Sequence, residues 1–135
     1  MKRGDKIVEA AHALVGTPFR LHGRDPITGI DCIGLAMLAL ERAGKGRLRP
    51  LVPARYSIRG GALERFVQIL QAAGLRPVRH GKPGDLVLVR AGVAQFHLMI
   101  MSGAGHVHAH AGLGRVVEMP GPSPWPVIAT YRWGK

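Results

Sequence analysis

A single cysteine, Cys32, stands in a chain of 135 residues. It excludes an internal disulfide and is too little sulfur for a thiolate-rich zinc site or an iron–sulfur cluster, so folding needs no oxidising compartment. Acidic side chains are scarce too: 8 Asp and Glu against 19 Lys and Arg give a formal charge of +11. Such a surface draws polyanions, whether nucleic acid, an anionic cell wall or an acidic protein. Aromatics make up 5% of the chain and no recognition helix stands out, which weighs against specific nucleic-acid binding, a mode that relies on stacking platforms. The longest apolar run, Leu35 to Leu40, falls far short of the ~20 residues of a membrane helix, so no membrane span and a soluble chain are expected. The N-terminus Met1-Lys2-Arg3-Gly4-Asp5-Lys6 begins basic like a signal peptide, but Asp5, Lys6 and Glu9 break any apolar stretch, and synthesis in the cytoplasm without an export signal is expected. Neither the phosphate-loop nor the dinucleotide glycine pattern occurs.

What is present is ordinary globular material. Apolar residues are 47% and charged residues 20%, and the length suits one domain over 1–135. From Asp5, a plausible N-cap, Ile7, Val8, Ala11, Leu14 and Val15 recur at helical spacing until Gly16-Thr17-Pro18. A second helix opens near Cys32 and runs, almost wholly apolar, to Gly44, which makes it central to the core. Residues 45 to 60 place Lys45, Arg47, Arg49, Arg55 and Arg59 among prolines, a basic irregular crossover. Leu63, Phe66, Val67 and Leu70 mark a third helix closed by Gly74. The period then changes, and Leu86–Val89, Leu98–Met101, Val107–Ala111, Val116-Val117 and Val127–Trp133 read as strands of an antiparallel meander. Helices first and strands afterwards predict an α+β domain, with N-terminal helices packed on a C-terminal antiparallel sheet.

Two readings of Cys32 stand side by side: a small buried hydrophobe, or a nucleophile. Asp31 can cap the helix that Cys32 opens, so the thiol meets unpaired N–H groups and a dipole that favour a thiolate and can hold an oxyanion. Gly34 leaves the approach to the sulfur clear. A nucleophilic thiol needs a base, and the base a partner that fixes its tautomer. His12, His22 and His80 read as surface or capping residues. His97, His106, His108 and His110 cluster around the turn Ser102-Gly103-Ala104-Gly105. With the hairpin centred on Ser102-Gly103, His97 and His108 face each other on one sheet face. The alternation of His106, His108 and His110 also admits a metal reading, although same-face neighbours ~6.5–7 Å apart are wide for one ion.

The segments Gly16-Thr17-Pro18-Phe19-Arg20, Gly29-Ile30-Asp31-Cys32-Ile33-Gly34-Leu35, Gly84-Asp85-Leu86-Val87, His97-Leu98-Met99-Ile100 and Val107-His108-Ala109 together resemble the NlpC/P60 family of papain-like cysteine peptidases, in order and spacing from about residue 5 to 119. The short form is similar to members carried by phage tails and gene transfer agents. The resemblance implies a papain-like fold and a Cys-His-His triad of Cys32 (nucleophile), His97 (general base) and His108 (orienting member), with no metal or organic cofactor. It further implies hydrolysis of peptidoglycan stem peptides, typically between D-glutamate and a diamino acid, with tail or baseplate proteins as partners and action in the periplasm or cell wall. Asp31 stands where members contact a substrate amine. Phe19 replaces a tyrosine and Ile33 a serine of the family pattern, which removes two polar groups near the substrate and shifts oxyanion stabilisation to backbone N–H groups. The rival reading keeps the fold as an inactive structural module of a tail or baseplate. The stretch Pro120-Gly121-Pro122-Ser123-Pro124-Trp125-Pro126 is either a docking segment for a tail protein or a rigid lead into the last strand.

Overall fold

A computed structural model of the chain describes residues 1–46, 62–93 and 95–134. Its central element is α2 (Cys32–Leu40), in which every residue is buried, as the unbroken apolar run requires. It passes into a wide π-type turn, Glu41–Lys45, kinked within at Gly44, whose φ is 107°. Against α2 lies α1 (Arg3–Ala13), which buries Ile7, Ala10 and Ala11. This helix starts two residues before the expected cap: Lys2 is the N-cap and makes no side-chain bond, and Asp5 sits in the first turn, where its charge still complements the dipole. The third helix, α3 (Ala62–Ala72), buries Phe66 and Leu70 and is followed by Gly74, whose φ of 81° closes it. Most of the basic crossover, Arg47, Arg49, Arg55 and Arg59 included, lies outside the described residues.

A short hairpin, β1 (Arg24–Asp25) with β2 (Gly29–Ile30), leads into α2. Six further strands follow α3 among the described residues: β3 (Leu75–Val78), β4 (Leu86–Gly92), β5 (Gln95–Met101), β6 (Gly105–His110), β7 (Arg115–Pro120) and β8 (Val127–Trp133). They form one antiparallel sheet in the order β3-β8-β4-β5-β6-β7. The expected meander therefore holds for β4 to β7, but β8 does not extend it; it crosses back to lie between β3 and β4. The reason is visible in β4, where Leu86 to Val89 are all buried. A strand with both faces and both edges in the core needs a neighbour on each side. β3 was not legible, because it is four residues long and contains Pro77; at the sheet edge that proline is tolerated.

The two sheet faces have different cores. Leu86, Leu88, Phe96, Leu98, Ile100, Val107 and Tyr131 join the helices in the main cluster. Val87, Val89 and Met99 form a smaller cluster on the other face, with Met101, Met119 and Trp125 against it. The fold is thus α+β, with the helices on one face of the antiparallel sheet, as the order of periodicities predicts.

Candidate active site

Asp31 builds the start of α2. Its Oδ1 accepts a hydrogen bond from the Gly34 N–H at 3.0 Å, and its Oδ2 one from the His22 N–H at 2.7 Å. The Arg24 guanidinium lies 3.4 Å from Oδ1. His22 reaches the carboxylate from the left-handed region, with φ of 62°. The expected cap is present, and the same carboxylate ties the preceding loop to the helix. Gly34 is also required by packing. A Cβ there would sit 2.3 Å from the Gly23 carbonyl oxygen, so the glycine lets the loop close on the helix.

The histidines come from β5 and β6. The Ser102 N–H bonds to the Gly105 carbonyl and Met101 pairs with His106, so the hairpin turns on Gly103-Ala104, one residue later than expected. A shift of one in the centre moves every cross-strand partner by two, and a shift of two keeps the face. His97 and His108 are therefore diagonal rather than directly opposed, and they still meet: His97 Nε2 lies 3.0 Å from His108 Nδ1, with the rings 5.1 Å apart at 80°. β5 and β6 pair at Ile100↔Val107 and Met101↔His106, and towards His97 the ladder is open. At this opening Cys32, Phe19, Asp31, His97, His108 and Trp125 line one cavity of about 210 Å³. The backbone N–H of Leu98, the residue after His97, faces the thiol.

Burial governs the electrostatics here. Cys32 is 4% exposed. Its thiol is pushed up to about 12, first by desolvation and then by the negative charge of Asp31, against which the N–H groups of Leu98, Ile33 and Cys32 act more weakly. Burial therefore favours the neutral thiol, the direction opposite to the thiolate that helix position alone favours. Burial likewise holds His97 down to about 3, with the charges of His108 and His110 adding to it, and His108 down to about 4, with His110 and His106 adding. His108 is 1% exposed and its Nε2 has no partner. A neutral pair needs one proton between its facing nitrogens, so with His97 Nε2–H donating to His108 Nδ1, the Nδ1 of His97 is left free to accept a proton.

One expected site residue sits elsewhere. Ile33 does not enter this cavity; one step round the helix from Cys32, it lines a small apolar space of about 30 Å³ with Phe66, Leu70 and Leu98, so it is a core side chain. His106, 5% exposed, lies outside the cavity lining, with its Nδ1 unpartnered. Among the described residues no three His, Cys, Asp or Glu side chains converge as a metal ion would require. His110 does line the cavity, with its Nδ1 accepting from the Leu113 N–H at 3.0 Å.

Trp125 is the residue that sequence reading did not place in the site. Its ring stands edge-on to both imidazoles, 5.8 Å from His97 and 5.7 Å from His108. The Ser123 hydroxyl, bonded to the Trp125 N–H and carbonyl, fixes the turn that carries it. The proline-rich stretch thus runs across the sheet and covers the histidine pair. A tryptophan between prolines in a connection is the only signal that could have pointed to it.

The sequence matches no protein-family model and no curated protein. Solved structures do match. The NlpC/p60 domain of the peptidoglycan hydrolase SagA is 24% identical over 87% of this chain and 88% of that one, with a TM-score of 0.60. NlpC1 from Trichomonas vaginalis is 20% identical with a TM-score of 0.68; the match covers 96% of this chain but 44% of that one. The P60 domain of an antigen from M. avium subspecies paratuberculosis is 19% identical over 97% of this chain and 93% of that one, at 0.63. The buried helix that begins at Cys32 and the antiparallel sheet that carries His97 and His108 are therefore those of the NlpC/P60 fold.

Proposed function

We propose that the chain is a cysteine peptidase that hydrolyses peptidoglycan stem peptides, with Cys32 as nucleophile, His97 as general base and His108 as the group that orients it. The observation that carries this reading is one cavity holding both the helix-terminal thiol and the hydrogen-bonded imidazole pair. The names of similar structures agree, since one is a peptidoglycan hydrolase domain.

Burial favours the neutral thiol and the neutral imidazoles, so the proton transfer is best placed together with the attack. The proton leaves sulfur for His97 as the C–S bond forms, and the imidazolium and the developing negative charge stabilise each other in a low-dielectric cavity. His108 holds His97 in the tautomer that can accept. The oxyanion is held by backbone N–H groups at the start of α2, since Phe19 offers no hydroxyl. The protonated His97 then donates to the leaving amine, and water repeats the sequence on the acyl-enzyme. Asp31 lines the cavity and supplies negative charge to a substrate amine, while Phe19 presents an apolar wall.

The bond we assign is that between D-glutamate and a diamino acid, and the setting is a phage tail or gene transfer agent particle acting in the periplasm or cell wall; both rest on the sequence resemblance. Purified protein incubated with peptidoglycan, or with a soluble γ-D-glutamyl-diaminopimelate peptide, is expected to release fragments cut at that bond, and Cys32→Ala to release none. Wall binding by both proteins with cleavage by neither would favour the inactive structural module. Mass spectrometry of purified particles checks the setting.

A further inference from the structure

A second cavity, of about 770 Å³, lies at the other end of the sheet. β4 begins beside it, after Gly84 and Asp85, and reaches the active-site cavity at Ala91. At the rise of a strand these ends are ~20 Å apart. The second cavity is lined by Lys2, Arg3, Arg76, Lys82 and Arg132 against Asp5 and Asp85, a net charge of +3. Asp85 is already matched: Arg132 bonds both its oxygens, at 2.9 and 2.8 Å, and the Lys82 N–H reaches it at 2.7 Å.

The other guanidinium groups, those of Arg3 and Arg76, are held in place by backbone carbonyls rather than by acids, and Arg132 adds a carbonyl to its carboxylate. Arg3 donates to the Trp133 carbonyl at 3.3 Å, Arg76 to that of Gly134, and Arg132 to that of His80 at 3.1 Å. Arg3 also lies over the Trp133 ring, 4.4 Å from its centre, and the Lys45 ammonium is 4.8 Å from the same ring. Lys2, Arg3, Arg76 and Lys82 nevertheless remain exposed. Oriented cations facing an open groove with too few acids are complementary to an extended anion. The one aromatic ring in the groove lies under cations, so the groove offers charge without a free stacking platform.

We propose that this groove binds a phosphodiester polymer that carries no bases, of the polyol-phosphate or sugar-phosphate kind, and so holds the domain on an anionic wall while the far end of the sheet works on peptide. Arginine forks match phosphate oxygens two at a time. The choice of a wall polymer over nucleic acid rests in part on the proposed function; the groove does not.

The test is binding of the full chain to poly(glycerol phosphate), with oligothymidylate of equal charge as competitor. Arg76→Glu/Lys82→Glu is expected to weaken binding of the first polymer at least tenfold and to lower the slope of log K on log salt by about 1.4, the loss of two phosphate contacts. Arg90→Glu/Arg115→Glu, which changes net charge equally on exposed sites away from the groove, is expected to cost less than threefold. Arg76→Gln/Lys82→Gln replaces the first variant if thermal unfolding shows it misfolded. Equal losses in the groove and control variants would overturn the site, and tighter binding of oligothymidylate would overturn the choice of polymer. Binding is read without turnover, so its failure leaves the peptidase reading standing, and loss of cleavage in Cys32→Ala leaves the groove untouched.

Discussion

The two ends of strand β4 treat charge in opposite ways. At the Ala91 end the ionisable groups lie under side chains, and burial selects their neutral forms: a thiol pushed up to about 12 and imidazoles held down to about 3 and 4. At the Gly84 end the cations stay in contact with water, steadied by carbonyl oxygens and, for Arg132, by Asp85. The difference teaches that one basic chain separates two tasks. Where a proton has to move during a reaction, charge is costly at rest and appears only as bonds change; where a polyanion has to be held, charge is permanent.

The largest expected break in this contrast is His97→Ala. It removes the group that takes the proton from a thiol too weakly acidic to ionise alone, and kcat/KM for a stem peptide is expected to fall by about 10²–10⁴-fold. His108→Ala is expected to cost less, because His97 keeps its free nitrogen and loses only its orienting partner. Neither substitution should alter binding of poly(glycerol phosphate). Steady-state rates and binding isotherms on the same preparations separate the two ends.

How much of this was legible follows from which residues carry local signals. Asp31 is legible as a cap because capping is a contact with the next turn, and the apolar run after it belongs only in a core. The histidine pair survived an error in the hairpin centre because the error was two residues in register, which preserves the face. Ile33 was misplaced because adjacency in a motif says nothing of direction, and one helical step turns a side chain by about 100°. The helix dipole that favours a thiolate can be read from sequence, whereas the desolvation that opposes it depends on what long-range packing brings over the sulfur. Trp125 and the insertion of β8 beside β4 are the same kind of fact: both depend on where a proline-rich connection leads the chain.

A smaller effect sharpens the comparison through pH. His97 and His108 titrate near 6.5 when unfolded and are held far lower when folded, so the unfolded chain binds protons that the native one refuses. Stability is therefore full above about 6.5 and is lost as pH falls, towards 4 for His108 and towards 3 for His97, by at most about 1.4 kcal/mol per unit for each histidine. Cys32 works in the other direction, since its unfolded thiol ionises near 9.0 and its folded one near 12, so stability is lost as pH rises above 9. Urea denaturation across pH is expected to show both limbs. His97→Asn/His108→Asn should flatten the acid limb, whereas Arg76→Gln/Lys82→Gln, at the open end, should leave both unchanged.

The smallest expected effect belongs to Trp125, and it asks whether the buried end owes its character to one ring. Trp125 stands against both imidazoles at under 6 Å and comes from a connection rather than from the sheet. Removing it in Trp125→Ala lets water reach the pair while His97 Nε2 and His108 Nδ1 remain within bonding distance. An aromatic contact of this type is worth about 1 kcal/mol, so kcat is expected to fall roughly fivefold to tenfold. The sign of the pH shift is the sharper measurement. Burial is the first cause of the low imidazole values, so hydration raises them towards 6.5, and the acid limb of the rate profile moves to higher pH. Trp125→Phe keeps a ring over the pair and should restore most of the rate and the original limb. A rate loss in Trp125→Ala with no movement of that limb would mean that the ring positions substrate rather than shielding the histidines, and the neutral state of the pair would then have to come from the sheet itself.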